Sequence, residues 1–215
     1  MELKVLDQTV NINLDTTKRT GVMLSGGMDS AILLFLILKE IEDKKLTLDL
    51  TAYNVPNVND NADNYSRRVI QFLESYFQKQ INFSNIGTGI DYPLNLINKP
   101  ARSLLASGLV DILYSGQNQF PSEAKDWPAY KYADGQFIRR DPSLPDPPNV
   151  RYPFIHLYKY HILDIYRQFN LLDLAAITHS CTVRKDGYCN ECLWCIERAW
   201  AFTKLGIVDR AVMPT

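Results

Sequence analysis

Two short segments of this chain carry residue types that could do chemistry. The first is Leu24-Ser25-Gly26-Gly27-Met28-Asp29-Ser30, where an apolar run, Thr20 to Leu24, gives way to a longer one, Met28 to Ile41. A glycine pair between a strand and a helix leaves backbone N–H groups unobstructed at the positive end of a helix dipole, and Ser25 and Ser30 add hydroxyls on either side. That arrangement suits a phosphate group. It is not Gly-x-x-x-x-Gly-Lys-Ser/Thr, because no lysine follows the second glycine, and it is not Gly-x-Gly-x-x-Gly. Asp29 would repel a phosphate unless a cation lay between them, so it is expected to help hold Mg2+ on a bound nucleotide.

The second segment is "SCTVRKDGYCNECLWCIERAWAF", with Cys181, Cys189, Cys192 and Cys195. Two Cys-x-x-Cys steps share Cys192, and Cys181 returns across a loop containing Gly187. Four thiolates can close a tetrahedral zinc site. An iron–sulfur cluster also takes four cysteines and stays open as the rival. Disulfides need an oxidising compartment, which nothing in the sequence supports. A helix beginning near Glu191 would put Cys192, Cys195 and Arg198 on one face, bringing a cation towards the metal end. His156, His161 and His179 have no metal-like spacing and read as surface or satisfied core histidines.

These segments need elements to position them, and strands and helices alternate along the chain. Thr20 to Leu24 reads as a strand and Met28 to Ile41 as a buried helix. Leu48 to Val55 reads as a second strand, Asn61 to Gln78 as a helix with one apolar stripe, and Ile81 to Ile86 as a third strand. Lys99 to Leu109 then reads as a helix, Val110 to Ser115 as a fourth strand, and Leu157 to Asn170 as another helix. This alternation predicts an α/β fold, a mostly parallel sheet with helices on both faces, whose ligand crevice lies at the carboxyl ends of the strands. Residues 117–151 hold more than half of the chain's eleven prolines and are too long for a simple connector, so they read as a long substrate-side loop or lid, with an ordered surface excursion as the alternative.

A chain of 215 residues, 46% of them hydrophobic, is long enough for one sizeable core, so residues 1–215 are expected to be a single domain. A net charge of -1 gives no electrostatic case for nucleic acid or an anionic membrane as the main partner. The first residues, "MELKVLDQTV", lack a basic region followed by an apolar run, and no segment approaches the length of a membrane span. A cytoplasmic protein is the expectation.

"SGGMDS" resembles the pyrophosphate-binding loop, Ser-Gly-Gly-x-Asp-Ser, of the N-type ATP pyrophosphatases, which split ATP between its α- and β-phosphates and adenylate a substrate. Together with Cys-x7-Cys-x2-Cys-x2-Cys followed by Arg-x2-Ala-Phe, it is similar to the 7-cyano-7-deazaguanine synthase family. "NKPARSLLASGLVDILYSGQNQ" and "ITHSC" are similar to further segments of that family. The resemblance implies a Rossmann-like fold of the adenine nucleotide alpha hydrolase type, with residues 178–205 as a C-terminal zinc-binding helical segment. It implies that Leu24, Ser25, Gly26, Gly27, Met28, Asp29 and Ser30 hold ATP, with Ser25, Asp29 and Ser30 acting in catalysis. Arg102 is expected on the nucleotide and, with Gln117 and Trp127, along the base pocket. Cys181, Cys189, Cys192 and Cys195 are the implied Zn2+ ligands.

The reaction the resemblance implies uses ATP, Mg2+, ammonia and 7-carboxy-7-deazaguanine. The carboxylate attacks the α-phosphate, ammonia displaces AMP to give an amide, and a second activation yields the nitrile. A homodimer is expected. The sequence departs from the family pattern at "YNVPNVND" after the second strand, at His179 in place of an aromatic residue, and at "DWPAYKYADGQFIRR" in the central loop. Two other functions stay open: a superfamily enzyme adenylating a different substrate, such as a transfer-RNA base, and a non-catalytic nucleotide-sensing module. Thiolating relatives need a free cysteine or a cluster, and no cysteine is spare here.

Overall fold

The computed structural model describes residues 1–55, 62–86, 103–127 and 148–211. The chain opens with an antiparallel hairpin, β1 (Glu2–Val5) and β2 (Gln8–Asn11), whose turn places Leu6 at a left-handed φ of 54°. Next come β3 (Thr20–Met23), α1 (Met28–Asp43), β4 (Leu50–Asn54), α2 (Ala62–Phe77) and β5 (Asn82–Asn85). Residues 103–106 are helical and lead into β6 (Ile112–Tyr114). A 3-10 turn, Ser122–Asp126, and a two-residue strand, β7 (Val150–Arg151), precede three helices: α3 (Lys159–Gln168), α4 (Leu172–Ile177) and α5 (Leu193–Leu205).

The main sheet has the order β5-β4-β3-β6-β7, and all of its pairings are parallel. Successive strands run outwards on one side from β3 to β5, and the chain then returns to the other side of β3 to lay down β6 and β7. The order therefore reverses between β3 and β6, and the space beyond their carboxyl ends is where open α/β sheets take their ligands. Side chains alternate across the sheet with the period of two that a strand imposes. Ala52, Ile112 and Tyr114 join the large core beneath α1, while Tyr53 and Leu113 face the other way and pack with Leu104 and Val110.

Helix α1 is buried on nearly every side, with Ile32 through Ile37 fully buried. The sheet covers one side of it. Phe35 meets Tyr76 and Phe77 of α2 at ring distances of 5.4 and 5.6 Å, and Phe169 beyond α3 at 5.2 Å. An unbroken apolar run is thus the sequence expression of a central helix rather than a surface one. Truncating Phe35 to alanine would cost about 3–5 kcal/mol through lost burial and the cavity left behind.

The expected strands and helices at 20–24, 28–41, 48–55, 61–78, 81–86, 110–115 and 157–170 all have counterparts, offset by a few residues at their ends. The hairpin, β7 and α4 add to them. The start of the expected helix at 99–109, the departure at Pro56 to Asp60, and residues 128–147 of the long loop lie outside the described residues. None of the described helices is long and apolar enough to cross a membrane.

Candidate functional site

Ser25 to Ser30 sit at the end of β3, at the point where the sheet order reverses. Gly26 adopts a φ of 78°, and a Cβ there would lie 2.7 Å from Cβ of Tyr65, so both backbone conformation and space require glycine. Gly116, just past β6, lies so close to the loop that a Cβ would stand 2.9 Å from the backbone carbon and oxygen of Asp29. Ser30 braces the turn from within. Its hydroxyl accepts from the Ser25 N–H at 3.1 Å, donates to the Gly27 carbonyl at 3.1 Å, and lies 3.1 Å from the Ser25 hydroxyl. Leu24 and Met28 bury their side chains in the core, so they can meet a ligand only through their backbone.

The first N–H groups of α1 have no acceptor within the helix, as in any α-helix, and Gly27 at the N-cap brings no side chain to them. The exposed hydroxyl of Ser25 lies beside them. The loop is held from behind. Ser66 of α2, fully buried, places its hydroxyl 3.0 Å from the Leu24 carbonyl and 3.2 Å from Oδ1 of Asn54, while Tyr166 donates to the Met28 carbonyl at 2.7 Å. Burial pushes the Tyr166 hydroxyl well above its ordinary pKa, so it stays protonated and keeps donating.

Asp29 points from the loop to Lys159, the first residue of α3, whose Nζ lies 2.6 and 2.5 Å from its two carboxylate oxygens. Lys159 is only 3% exposed and also lies 3.4 Å from Oε2 of the fully buried Glu197 on α5. Asn118, beyond β6, donates from Nδ2 to Oε1 of Glu197 at 3.4 Å. Neither Lys159 nor Glu197 was singled out from the sequence, although a signal was present. Lys159 stands three, four and seven residues before Ile162, Leu163 and Tyr166, and Glu197 stands four residues from both Leu193 and Ala201. A charge on the apolar stripe of a helix must be paired inside the molecule.

The four cysteines converge. Their sulfurs all lie within 4.8 Å of one another, with Cys181 and Cys195 buried and Cys189 and Cys192 partly so. Backbone N–H groups point at the sulfurs, from Arg184 to Cys181 at 3.2 Å and from Glu191 and Cys192 to Cys189 at 3.4 and 3.2 Å. At Cys189 burial outweighs these donors and raises the thiol. The hydrogen bond from Cys195 lowers the Cys192 thiol to about 4, and the same contact raises that of Cys195. This group could hold a metal ion.

Helix α5 begins at Leu193, two residues after Glu191, with Cys192 as its N-cap. Arg198 does not turn its charge towards the sulfurs. It is buried, with Nε and Nη2 on the Asp209 carboxylate at 2.5 and 2.9 Å, Nη1 on the Thr178 hydroxyl and Nη2 on the Ala175 carbonyl, both at 2.9 Å. Arg198 therefore clamps the end of α4 and the chain after α5 onto the helix that carries Cys195.

The cysteine loop also touches the glycine loop directly. The His179 N–H donates to the Gly26 carbonyl at 3.0 Å, and the His179 ring stacks on Tyr65 of α2 at 4.4 Å and 9°. Its Nε2 lies 2.8 Å from the Gly187 carbonyl. His161 is also a satisfied core histidine: Nδ1 accepts from the Tyr158 N–H at 3.0 Å, so Nε2 carries the proton and donates to Asp7 at 2.9 Å. Of the residues expected along the base pocket, Gln117 follows Gly116 directly, Trp127 packs on Trp200 and Phe120 at 5.9 and 6.4 Å, and Arg102 lies outside the described residues.

Residues 3–73 match the family model for asparagine synthase. The matched segment is the N-terminal third of the chain and includes the glycine loop, α1 and most of α2. No curated protein matches the chain. Among solved structures, the U34-tRNA thiolase NcsA from Methanococcus maripaludis with its 4Fe-4S cluster is similar at 18% identity and a TM-score of 0.43, covering 74% of this chain. The chain spans 59% of that structure's length.

Proposed function

We propose that this chain is an ATP-dependent synthase that adenylates the carboxylate of 7-carboxy-7-deazaguanine and converts it with ammonia, by way of the amide, to 7-cyano-7-deazaguanine. The observation that carries the nucleotide half is the Ser25 to Ser30 loop, braced by Ser30 and closed over by Gly116 where the sheet order reverses. The asparagine synthase match spans the same loop. The substrate half rests on the resemblance of the cysteine segment and its neighbours to the deazaguanine synthase family.

In this reading the N–H groups at the start of α1 and the Ser25 hydroxyl receive the β- and γ-phosphates, where the helix dipole favours negative charge. Asp29 turns from Lys159 towards the Mg2+ that accompanies the nucleotide. Lys159 stays enclosed behind Asp29, so its charge acts on the phosphates only from a distance. The chain's task is to hold the substrate carboxylate in line with that bond rather than to form a covalent intermediate. We assign substrate recognition to the segment 117–151.

We assign zinc to Cys181, Cys189, Cys192 and Cys195. A Zn–S bond of about 2.3 Å sets tetrahedral sulfurs about 3.8 Å apart. The Cys189 and Cys195 sulfurs stand 3.9 Å apart. A cubane cluster binds each thiolate to a different iron and needs a wider spread than the 4.8 Å seen here. Bound zinc supplies neutralisation of the thiolates and folding energy to the C-terminal segment.

The test is to incubate the protein with ATP, Mg2+, ammonium and 7-carboxy-7-deazaguanine and to follow products by mass. A nitrile product is expected. Amide alone would show that the second activation is missing, and the absence of both would overturn the substrate assignment.

A further inference from the structure

We propose that Glu197 is a positioning residue for the nucleotide site: its carboxylate keeps the Lys159 ammonium paired when Asp29 turns away to a divalent cation. The inference rests on the ATP and Mg2+ reading above and adds to it a residue that is not among the fixed positions of either the loop motif or the cysteine motif.

Lys159 is shared unequally between two carboxylates. Asp29 holds it at 2.5 and 2.6 Å and is 22% exposed, whereas Glu197 stands at 3.4 Å and is fully enclosed. An exposed carboxylate can exchange one cation for another, but an enclosed one cannot follow it out. When Asp29 ligates a metal ion, the ammonium loses its near partner while remaining buried. A buried charge left without a counter-charge is strongly unfavourable. Glu197 already lies within ion-pair reach, so a small movement of the lysine side chain suffices. The Nδ2 of Asn118 engages the other carboxylate oxygen of Glu197, Oε1, and leaves Oε2 facing Lys159. The device joins the start of α1, the start of α3, the end of β6 and the helix that begins beside the cysteines.

The consequence is a specific dependence on Mg2+. With Glu197 neutral, releasing Asp29 would strand the ammonium, so Asp29 would hold Lys159 more tightly and yield to Mg2+ less readily. ATP binding is measured across a Mg2+ series on the full chain with its metal retained, for the parent, Glu197→Gln and Glu197→Asp. Glu197→Gln is expected to raise the Mg2+ concentration needed for half-maximal ATP binding by about tenfold or more. Its zinc content should be unchanged, and its ATP affinity should approach that of the parent at saturating Mg2+. Glu197→Asp, which keeps the charge but draws it back by one methylene, should fall between them. A purely structural role would lower affinity by one factor at every Mg2+ concentration.

An unchanged Mg2+ midpoint in Glu197→Gln, or a uniform loss of affinity, overturns the inference while leaving the nucleotide site standing. If Glu197→Gln does not fold, Glu197→Asp is read alone: a raised midpoint supports the role, and an unchanged one overturns it. Failure of the parent protein to bind ATP with Mg2+ overturns the nucleotide reading and this inference with it.

Discussion

Lys159 and Asp29, 130 residues apart in the chain, meet in an ion pair in which the ammonium contacts both carboxylate oxygens at 2.6 and 2.5 Å. The pair joins the glycine loop to the start of α3 and places a buried positive charge beside the position where phosphate is expected. Both Asp29 carboxylate oxygens thus have a partner at the start of α1.

Asp29→Asn is expected to retain the fold and its metal content, because Glu197 still faces Lys159. Turnover should fall by about 100-fold to 1,000-fold, the range found when a group that stabilises transition-state charge is removed. Magnesium-dependent pyrophosphate release is the measurement. An unchanged rate in this variant would refute the role given to Asp29.

For the metal, elemental analysis of anaerobically purified protein should find about one zinc per chain. Cys195→Ser should lose the metal and also lower the melting temperature, since thiolate ligation and folding of residues 178–205 are linked. Stoichiometric iron with visible absorbance would contradict the assignment.

Arg198→Met tests the clamp. The guanidinium and the Asp209 carboxylate are both largely enclosed, at 1% and 10% side-chain exposure. Removing one partner from such a pair costs about 3–5 kcal/mol, read as a lower denaturant midpoint. A variant as stable as the parent would show that the clamp contributes nothing.

The pH dependence of stability has a marker at the opposite end of the sheet. Arg19, just before β3, engages Asp111, just before β6, through two side-chain contacts and a backbone N–H. The Arg19 side-chain hydrogen bonds hold the Asp111 carboxyl well below its ordinary value of 3.8. A carboxyl depressed in the folded state contributes stability above its unfolded value, and that contribution is lost as pH falls through the folded value. The difference in melting temperature between the parent and Asp111→Asn should thus be constant at neutral pH and shrink below 3.8. A difference that does not change with pH would rule out the pairing.

The sequence made β3, the glycine loop and α1 readable because an apolar strand, a backbone constraint and an apolar helix coincide there. The cysteines were readable by spacing alone. The hairpin at Glu2–Asn11 was not, since four-residue strands with one buried face give too short an alternation to register. Strand β7 has two residues, Val150 and Arg151, and owes its form to the edge of β6 rather than to its own composition. Lys159 and Glu197 were missed for a different reason. Their meaning lies in the pairing of residues on separate helices, which depends on tertiary structure. The contact of His179 with Gly26 is of the same kind: one residue of the cysteine segment supports the turn that the glycine motif defines.

The most direct test of the central claim is the position at which ATP is cut. Phosphorus NMR of the protein incubated with ATP, Mg2+, ammonium and 7-carboxy-7-deazaguanine should show AMP and pyrophosphate appearing in equal amounts and only when the carboxylate is present. That is the outcome expected if the loop at Ser25 to Ser30 holds the β- and γ-phosphates while the α-phosphate is transferred. ADP with orthophosphate, or pyrophosphate released at the same rate without the carboxylate, would contradict the account.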